Sequence, residues 1–178
     1  MGPWFDEMLR LVPVSIVMAG AALEANVNEI LQNIIDEHQQ FSVTKSRLIL
    51  LNELKEERSG NAPLKYRRLA LLLDKEPVEG VEAWENAKLL VKLRNDFMHF
   101  RPSWDDDDIH NGKLVDAMKK KVRIAEAYKQ NFLFPYGLIT YDCAKWAVQT
   151  VLALSADFSN LTGVPDRFKL PGLDFTLP

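Results

Sequence analysis

The sequence has few of the residues that form disulfides or bind structural metals in small folds. Its single cysteine, Cys143, excludes an internal disulfide, and the three histidines (His38, His99 and His110) lack the spacing of zinc ligands. No secretory signal is recognised, so we expect a reducing compartment and assign the chain to the cytoplasm. With 178 residues, 47% of them hydrophobic, the chain can fill one core, and we expect neither a metal nor a cofactor.

Long apolar runs and an excess of positive charge are also missing. The longest uncharged stretch, residues 11–23, contains a proline and is shorter than the roughly 20 apolar residues of a membrane-spanning helix. We therefore expect no transmembrane segment and no association with membranes. The net charge of −3 and the pI near 5.7 give no general attraction to nucleic acid. Two basic clusters, residues 65–68 and 119–123, are interpreted as solvated helix faces.

Apolar residues recur at helical spacing along almost the whole chain, and no convincing period-two run indicates a strand. The pattern predicts an all-α fold, an up-and-down bundle of about five to six helices. The helices are expected over residues 14–35, 44–58, 63–74, 81–100, 112–131 and 140–161, and an extra turn before Pro13 is compatible with the pattern. We expect residues 1–162 to form a single domain and residues 163–178 to pack on it as an irregular tail.

The predicted fourth helix carries three polar groups near its end. On a helical wheel, Arg94 lies within an apolar arc, and Asn95 and His99 lie together at its border. The arc comprises Trp84, Ala87, Leu90, Val91, Phe97 and Met98. A guanidinium group is always charged, and its burial is costly without a partner. Arg94 therefore requires an acidic or polar partner.

The predicted first helix offers Glu24 as that partner. Its residues advance at the spacing of a packing seam through Val17, Ala21, Glu24, Asn28, Leu31 and Ile35. This seam assigns core positions to Glu24 and Asn28, and we expect Glu24 to contact Arg94 through a charge-assisted hydrogen bond. A purely structural role stays open, because a buried ion pair and a seam asparagine can both fix helix register.

A short motif at this point resembles that of a known nuclease family. Residues 94–99 read RNDFMH, which resembles the R-x(4-6)-H motif of HEPN domains with a polar residue directly after the arginine. The first-helix segment MAGAALEANVNEIL is also similar to HEPN first helices, and the likeness spans about residues 14–160. The resemblance implies a homodimer whose two motifs form one cleft that cleaves RNA without a metal. Arg94 would hold the scissile phosphate, Asn95 would position His99 or bind the phosphate, and His99 would transfer protons. Glu24 and Asn28 would hold these three side chains in position without contacting the RNA.

The resemblance also implies a biological setting and an alternative. A HEPN-like endoribonuclease would act as a toxin or defence effector, with an antitoxin or regulatory protein as a further partner. The acidic run Asp105–Asp108 would oppose RNA, and Arg101 stands where some HEPN toxins carry a tyrosine that a partner modifies. The alternative is a non-catalytic HEPN-fold module that binds a protein partner or a nucleotide. Cys143 is interpreted as a small core residue rather than a nucleophile.

Overall fold

The computed structural model describes residues 3–57, 61–76, 80–99, 109–129 and 134–169, and within these ranges the chain is helical without any strand. Its α-helices are α1 (Pro3–Asp36), α2 (Lys45–Glu56), α3 (Ala62–Leu72), α4 (Glu82–Met98), α5 (Ile109–Lys119) and α6 (Tyr141–Thr162). Two short 3-10 helices, Glu126–Tyr128 and Tyr136–Leu138, lie between α5 and α6. The predicted all-α helical bundle is confirmed.

The chain divides into two compact units. Unit 1 comprises residues 1–20 and 88–150, and unit 2 comprises residues 21–87 and 151–178. The helices α1, α4 and α6 each contribute residues to both units. The single domain expected over residues 1–162 stays a prediction.

Helix α1 begins earlier than the sequence pattern predicted. Pro3 stands in its first turn, where a missing N–H costs nothing, whereas Pro13 lies inside the helix and removes one backbone hydrogen bond. Val12 and Ile16, on either side of that proline, are buried, and their packing offsets the loss. By length and composition alone, the segment Asp6–Asp36 could cross a membrane, but core helices of soluble proteins pass the same test. The expectation that no segment spans a membrane therefore stays a prediction.

The buried face of α1 lies one residue away from the predicted seam. Its buried apolar positions include Val12, Ile16, Ala19, Leu23, Val27, Ile30 and Ile34. A shift of one residue turns the face by about 100°, so Glu24 is half-buried and Asn28 is exposed. The core position assigned to Asn28 was wrong. The sequence contained a signal for the buried face of α1, because the positions on that face carry larger apolar side chains than the positions of the predicted seam.

Helix α5 ends at Lys119 rather than near residue 131, as the sequence had suggested. The amide of Val122 still bonds the carbonyl of Met118 (3.0 Å), but the amide of Ala125 bonds the carbonyl of Gly137 (3.0 Å). Ala125 therefore bonds a distant residue instead of continuing the helix. The basic cluster of residues 119–123 therefore lies at the helix end and in the turn beyond it, and not on a continuous helix face.

A buried polar chain crosses unit 2. The side-chain amide of Asn26 donates to the hydroxyl oxygen of Tyr66 (2.8 Å) and to Ser155 Oγ (3.1 Å). Ser155 in turn donates to Asp166 Oδ1 (2.6 Å), which ties the described start of the C-terminal tail to α6. Burial of Tyr66, more than any other effect, raises the pKa of its phenol above the ordinary range. The network joins α1, α3, α6 and the tail.

The basic cluster of residues 65–68 is only partly a solvated face. Lys65 and Tyr66 are buried, with 7% and 0% of their surfaces exposed, whereas Arg67 and Arg68 face solvent. The ammonium group of Lys65 donates to Asn28 Oδ1 (3.2 Å) while its aliphatic stem is covered. The prediction of solvent exposure was therefore wrong for Lys65 and Tyr66.

Candidate active site

Arg94 lies one turn before the end of α4, and its side chain is half-buried with the Nε atom fully covered. Its aliphatic stem packs against Gly20 of α1. A Cβ atom placed on Gly20 would lie 3.0 Å from Arg94 Cγ and 3.3 Å from Arg94 Cβ. Most real Cβ contacts are longer than this, so the stem of Arg94 would have to shift by a few tenths of an ångström if position 20 had a side chain. The stem of Arg94 is thus held by a neighbouring helix and does not extend into bulk solvent.

Asn95 orients the guanidinium group of Arg94. Arg94 Nη1 donates to Asn95 Oδ1 at 3.0 Å, and both side chains are half-buried. A guanidinium group is a rigid plane with five N–H donors, so one bond to a fixed acceptor restricts the direction of the others. The sequence suggested that Asn95 positions His99 or binds a phosphate, but the structure places its side chain on Arg94.

His99 is exposed and directly follows the last residue of α4. Its backbone amide donates to the carbonyl oxygen of Asn95 (2.9 Å), which continues the helical hydrogen bonding by one residue. Positions 94 and 99 are five residues apart, which on an α-helix corresponds to about 140° of rotation and about 7.5 Å of rise. The two side chains therefore leave this end of the chain's α4 in different directions.

The carboxyl group of Asp96 lies between these residues in sequence and is partly buried. Its Oδ2 atom is covered and has no hydrogen-bond donor. Burial raises the pKa of this carboxyl above its ordinary value, and the charge of Lys92, one turn earlier, opposes the shift. The sequence pattern gave no sign of this environment.

Aromatic packing fixes the end of α4. The rings of Phe97 and Phe134 have centroids 5.7 Å apart and planes at 60°, and Phe134 is 7% exposed. Met98, assigned by the helical wheel to the same apolar arc, is 57% exposed, so that assignment was wrong. Side chains in the last turn of a helix have fewer neighbours on their own helix than those in its middle. A helical wheel does not include this difference, because it shows only the angle of each residue.

The supporting residues expected from the resemblance have different outcomes. Glu24 is half-buried on α1, one turn after Gly20. Its contact with Arg94 stays a prediction. Asn28 is exposed and accepts a hydrogen bond from Lys65 (3.2 Å) in unit 2. The side chain of Asn28 is therefore bonded to Lys65, which does not belong to the motif of residues 94–99.

The chain was compared with protein-family models, curated proteins and solved structures. None of them matches. In the part of the chain that the structure describes, no group of three or more His, Cys, Asp and Glu side chains is placed to hold a metal ion. Arg101 and the acidic run of residues 105–108 lie outside the described residues.

Cys143 lies in the core of unit 1 and is 0% exposed. Burial raises the pKa of its thiol to about 12. A nucleophilic cysteine needs an accessible thiolate, which a buried thiol with a raised pKa does not supply at neutral pH. The interpretation of Cys143 as a small core residue agrees with this environment.

Proposed function

We propose that the chain is a HEPN-like, metal-independent endoribonuclease that acts as a homodimer in the cytoplasm, as a toxin or defence effector. The observation that carries this proposal is the guanidinium group of Arg94, held along its stem by Gly20 and oriented by Asn95, five residues before an exposed histidine. A fixed guanidinium group suits a phosphate, and an exposed imidazole suits proton transfer.

The proposed reaction uses the RNA's own 2′-hydroxyl as nucleophile. His99 accepts the proton of that hydroxyl, O2′ attacks the adjacent phosphorus, and the bond to the 5′-oxygen breaks. His99 of the partner subunit donates a proton to the leaving 5′-oxygen. The products are a 2′,3′-cyclic phosphate and a free 5′-hydroxyl. Arg94 stabilises the negative charge that develops on the non-bridging oxygens, and the bond to Asn95 keeps it in place.

An exposed apolar stripe on α1 supports the proposed homodimer. It consists of Trp4 (68% exposed), Leu11 (57%), Val14 (58%) and Met18 (62%). Positions 4, 11 and 18 are seven residues apart and position 14 follows at three, which is the spacing of a helix–helix seam. Met18 comes two residues before Gly20, the contact of Arg94 in unit 1. Two residues correspond to about 200° of rotation, so the stripe and the contact with Arg94 lie on nearly opposite sides of α1.

Cleavage of RNA in EDTA tests the activity. Wild type should release fragments with cyclic phosphate ends, and His99→Ala should be slower by about 100-fold or more, the usual contribution of an acid–base group. His38→Ala is the matched control, because His38 lies in unit 2 with its ring bonded to the carbonyl of Ile35 (3.1 Å). Equal inertness of wild type and His99→Ala would contradict the proposal.

Sedimentation tests the dimer separately. Leu11→Glu with Met18→Glu places two charges on the exposed stripe, and the double variant should become monomeric and inactive. Glu substitutions at Lys45 and Lys55, both exposed on α2, should leave the dimer intact. A wild type that sediments as a monomer at all concentrations would refute the homodimer.

A non-catalytic binding module is the second candidate, and an apolar groove in unit 2 favours it. The groove, of about 460 Å³, lies between α2 and α3 and is lined by Leu50, Leu54, Leu71 and Leu72 among others. Leu50 and Leu71 are 47% and 50% exposed, which is a common property of protein-binding surfaces. This candidate predicts that Arg94→Ala lowers the melting temperature by several degrees while neither form cuts RNA.

A further inference from the structure

A basic groove in unit 1 collects charges that are separated in sequence. It has a volume of about 1000 Å³ and lies where the turn after α5 meets the first turns of α6. Its cationic lining consists of Lys119, Lys120, Lys121, Arg123, Lys129 and Lys145. The acidic side chains in the lining are Glu126 and Asp142. The lining therefore has an excess of four positive charges, six minus two, in a chain whose net charge is −3.

Three cations of the groove lie in ion pairs that are exposed or long. Arg123 lies 3.6 Å from Asp142 with 92% of its side chain exposed, and Lys129 pairs with Glu126 at the surface. The bond between Lys119 and Asp116 is long, at 4.0 Å. Exposed pairs of this kind are weak and are screened by salt. A bound anion could therefore compete for these cations.

The groove wall also contains an unsatisfied donor. Trp146 lines the groove, is 8% exposed, and its Nε1 atom is buried without an acceptor. Val122 and Ile124 add apolar surface beside it. Buried indole N–H groups usually have a partner, so this donor is an unsatisfied group in the wall of the groove.

An exposed aromatic ring lies against one of these cations. Lys145 lies 6.0 Å above the ring of Tyr141, which is 51% exposed. Tyr136, 38% exposed, stacks on Tyr128 with ring centroids 6.2 Å apart. Surfaces that hold single-stranded nucleic acid combine cations for the backbone with aromatic faces on which bases stack. A free phosphate ion would use the cations but not the rings.

We propose that this groove binds the phosphate backbone of single-stranded RNA and holds it while the Arg94 motif acts on a neighbouring nucleotide. The inference deepens the proposed function and rests on it for the identity of the substrate. It also revises the interpretation of residues 119–123 as a merely solvated face, because later segments bring Lys129 and Lys145 to the same cluster.

Binding of a fluorescent 12-nucleotide RNA, measured by anisotropy in EDTA with the His99→Ala protein, tests the groove apart from cleavage. Lys120→Glu with Lys121→Glu changes two exposed groove residues and should weaken binding at least about tenfold. It should also lower the slope of log K against log salt by about 1.4, since each backbone contact to a single strand contributes roughly 0.7. The matched control is Lys45→Glu with Lys55→Glu, which makes the same charge change on α2 and should bind like the parent.

Two further arms identify the ligand. Tyr141→Ala should weaken RNA binding severalfold without changing the salt slope, because stacking is not electrostatic. Inorganic phosphate at millimolar concentration should not displace the RNA. Equal binding by the groove variant and its control would overturn the proposal, and so would displacement by phosphate. If the wild-type protein binds RNA but does not cleave it, the proposed nuclease activity is refuted and the proposed RNA-binding groove is not. If it cleaves RNA and the groove variant binds as well as its control, the groove is refuted and the nuclease activity is not.

Discussion

Gly20 and Arg94 are in direct contact, and the absence of a side chain at position 20 is what allows it. The stem of Arg94 occupies the space that a Cβ atom on Gly20 would need, with Cγ 3.0 Å from that position. The direction of the guanidinium group therefore depends on a residue of a different helix, far away in sequence.

Gly20→Ala should affect the site more than the fold. Alanine gains up to about 1 kcal/mol over glycine inside a helix, which offsets part of the new clash. The stem of Arg94 must shift, and displacement of a positioned group lowers a rate readily, so we expect cleavage to fall at least about tenfold. Gly112→Ala is the matched control, because nothing lies within 4 Å of a Cβ at that position. Gly112→Ala should raise the free energy of unfolding in urea and leave the cleavage rate unchanged. Equal cleavage rates and equal stabilities of Gly20→Ala and Gly112→Ala would show that Gly20 does not confine Arg94.

Asn95→Asp should keep the orientation of the Arg94 guanidinium group while adding a negative charge beside it. The carboxylate still accepts the bond from Arg94 Nη1, but its negative charge competes with the phosphate for the same guanidinium group. We expect a higher KM with little change in the melting temperature. Asn52→Asp, on the exposed face of α2, makes the same substitution away from the motif and should alter neither quantity. A KM equal to that of wild type would argue against phosphate binding by Arg94.

Asp96→Asn should make the protein more stable at neutral pH. Burial raises the pKa of Asp96 in the folded state, so the folded chain binds this proton more tightly than the unfolded chain. The free energy of unfolding therefore falls as the pH rises from the unfolded pKa to the folded pKa, and the cost persists above that interval. Asparagine removes the charge, so the variant should exceed wild type at pH 7 and lose that advantage below the unfolded pKa. Urea titrations at several pH values measure this, with Asp116→Asn, a 74% exposed carboxylate, as control; lower stability of Asp96→Asn at pH 7 would contradict the sign.

Ser155→Ala should weaken unit 2. The hydroxyl accepts from Asn26 and donates to Asp166, and its removal leaves both groups with one bond fewer in a covered region. Loss of a buried hydrogen-bond partner costs about 1–3 kcal/mol, which urea unfolding detects easily. Ser159→Ala, one turn later on α6 and half-buried, serves as the reference. A cost no larger than that of the reference would show that the network is not stabilising.

Most helices could be predicted because their ends are set locally. The observed bounds of α2, α3 and α4 lie within two residues of the predicted ones. The side chain of Thr44 caps α2 by accepting from the amide of Arg47, and Pro63 stands in the first turn of α3. Such signals involve residues a few positions apart, so a single sequence contains them in full.

The rest depended on contacts between distant residues. Helix α5 ends at Lys119, and beyond it the amide of Ala125 bonds the distant carbonyl of Gly137, a contact that the local sequence does not indicate. The buried face of α1 is chosen by packing, and two adjacent faces of that helix both have helical spacing. Of the candidate site, the residue types at positions 94, 95 and 99 could be singled out, but the bond between Arg94 and Asn95 and the contact with Gly20 needed coordinates.

The contrast between Lys65 and the exposed lysines at positions 119–121 has a consequence for proteolysis. Trypsin requires an accessible basic side chain on a backbone that can open, and Lys65 is enclosed within α3 while the other three lie at a helix end and its turn. A brief digestion should therefore cut beyond α5 and spare the bond after Lys65. The rim of the basic groove is then also a site of protease cleavage, and a polyanion lying across it would protect these bonds.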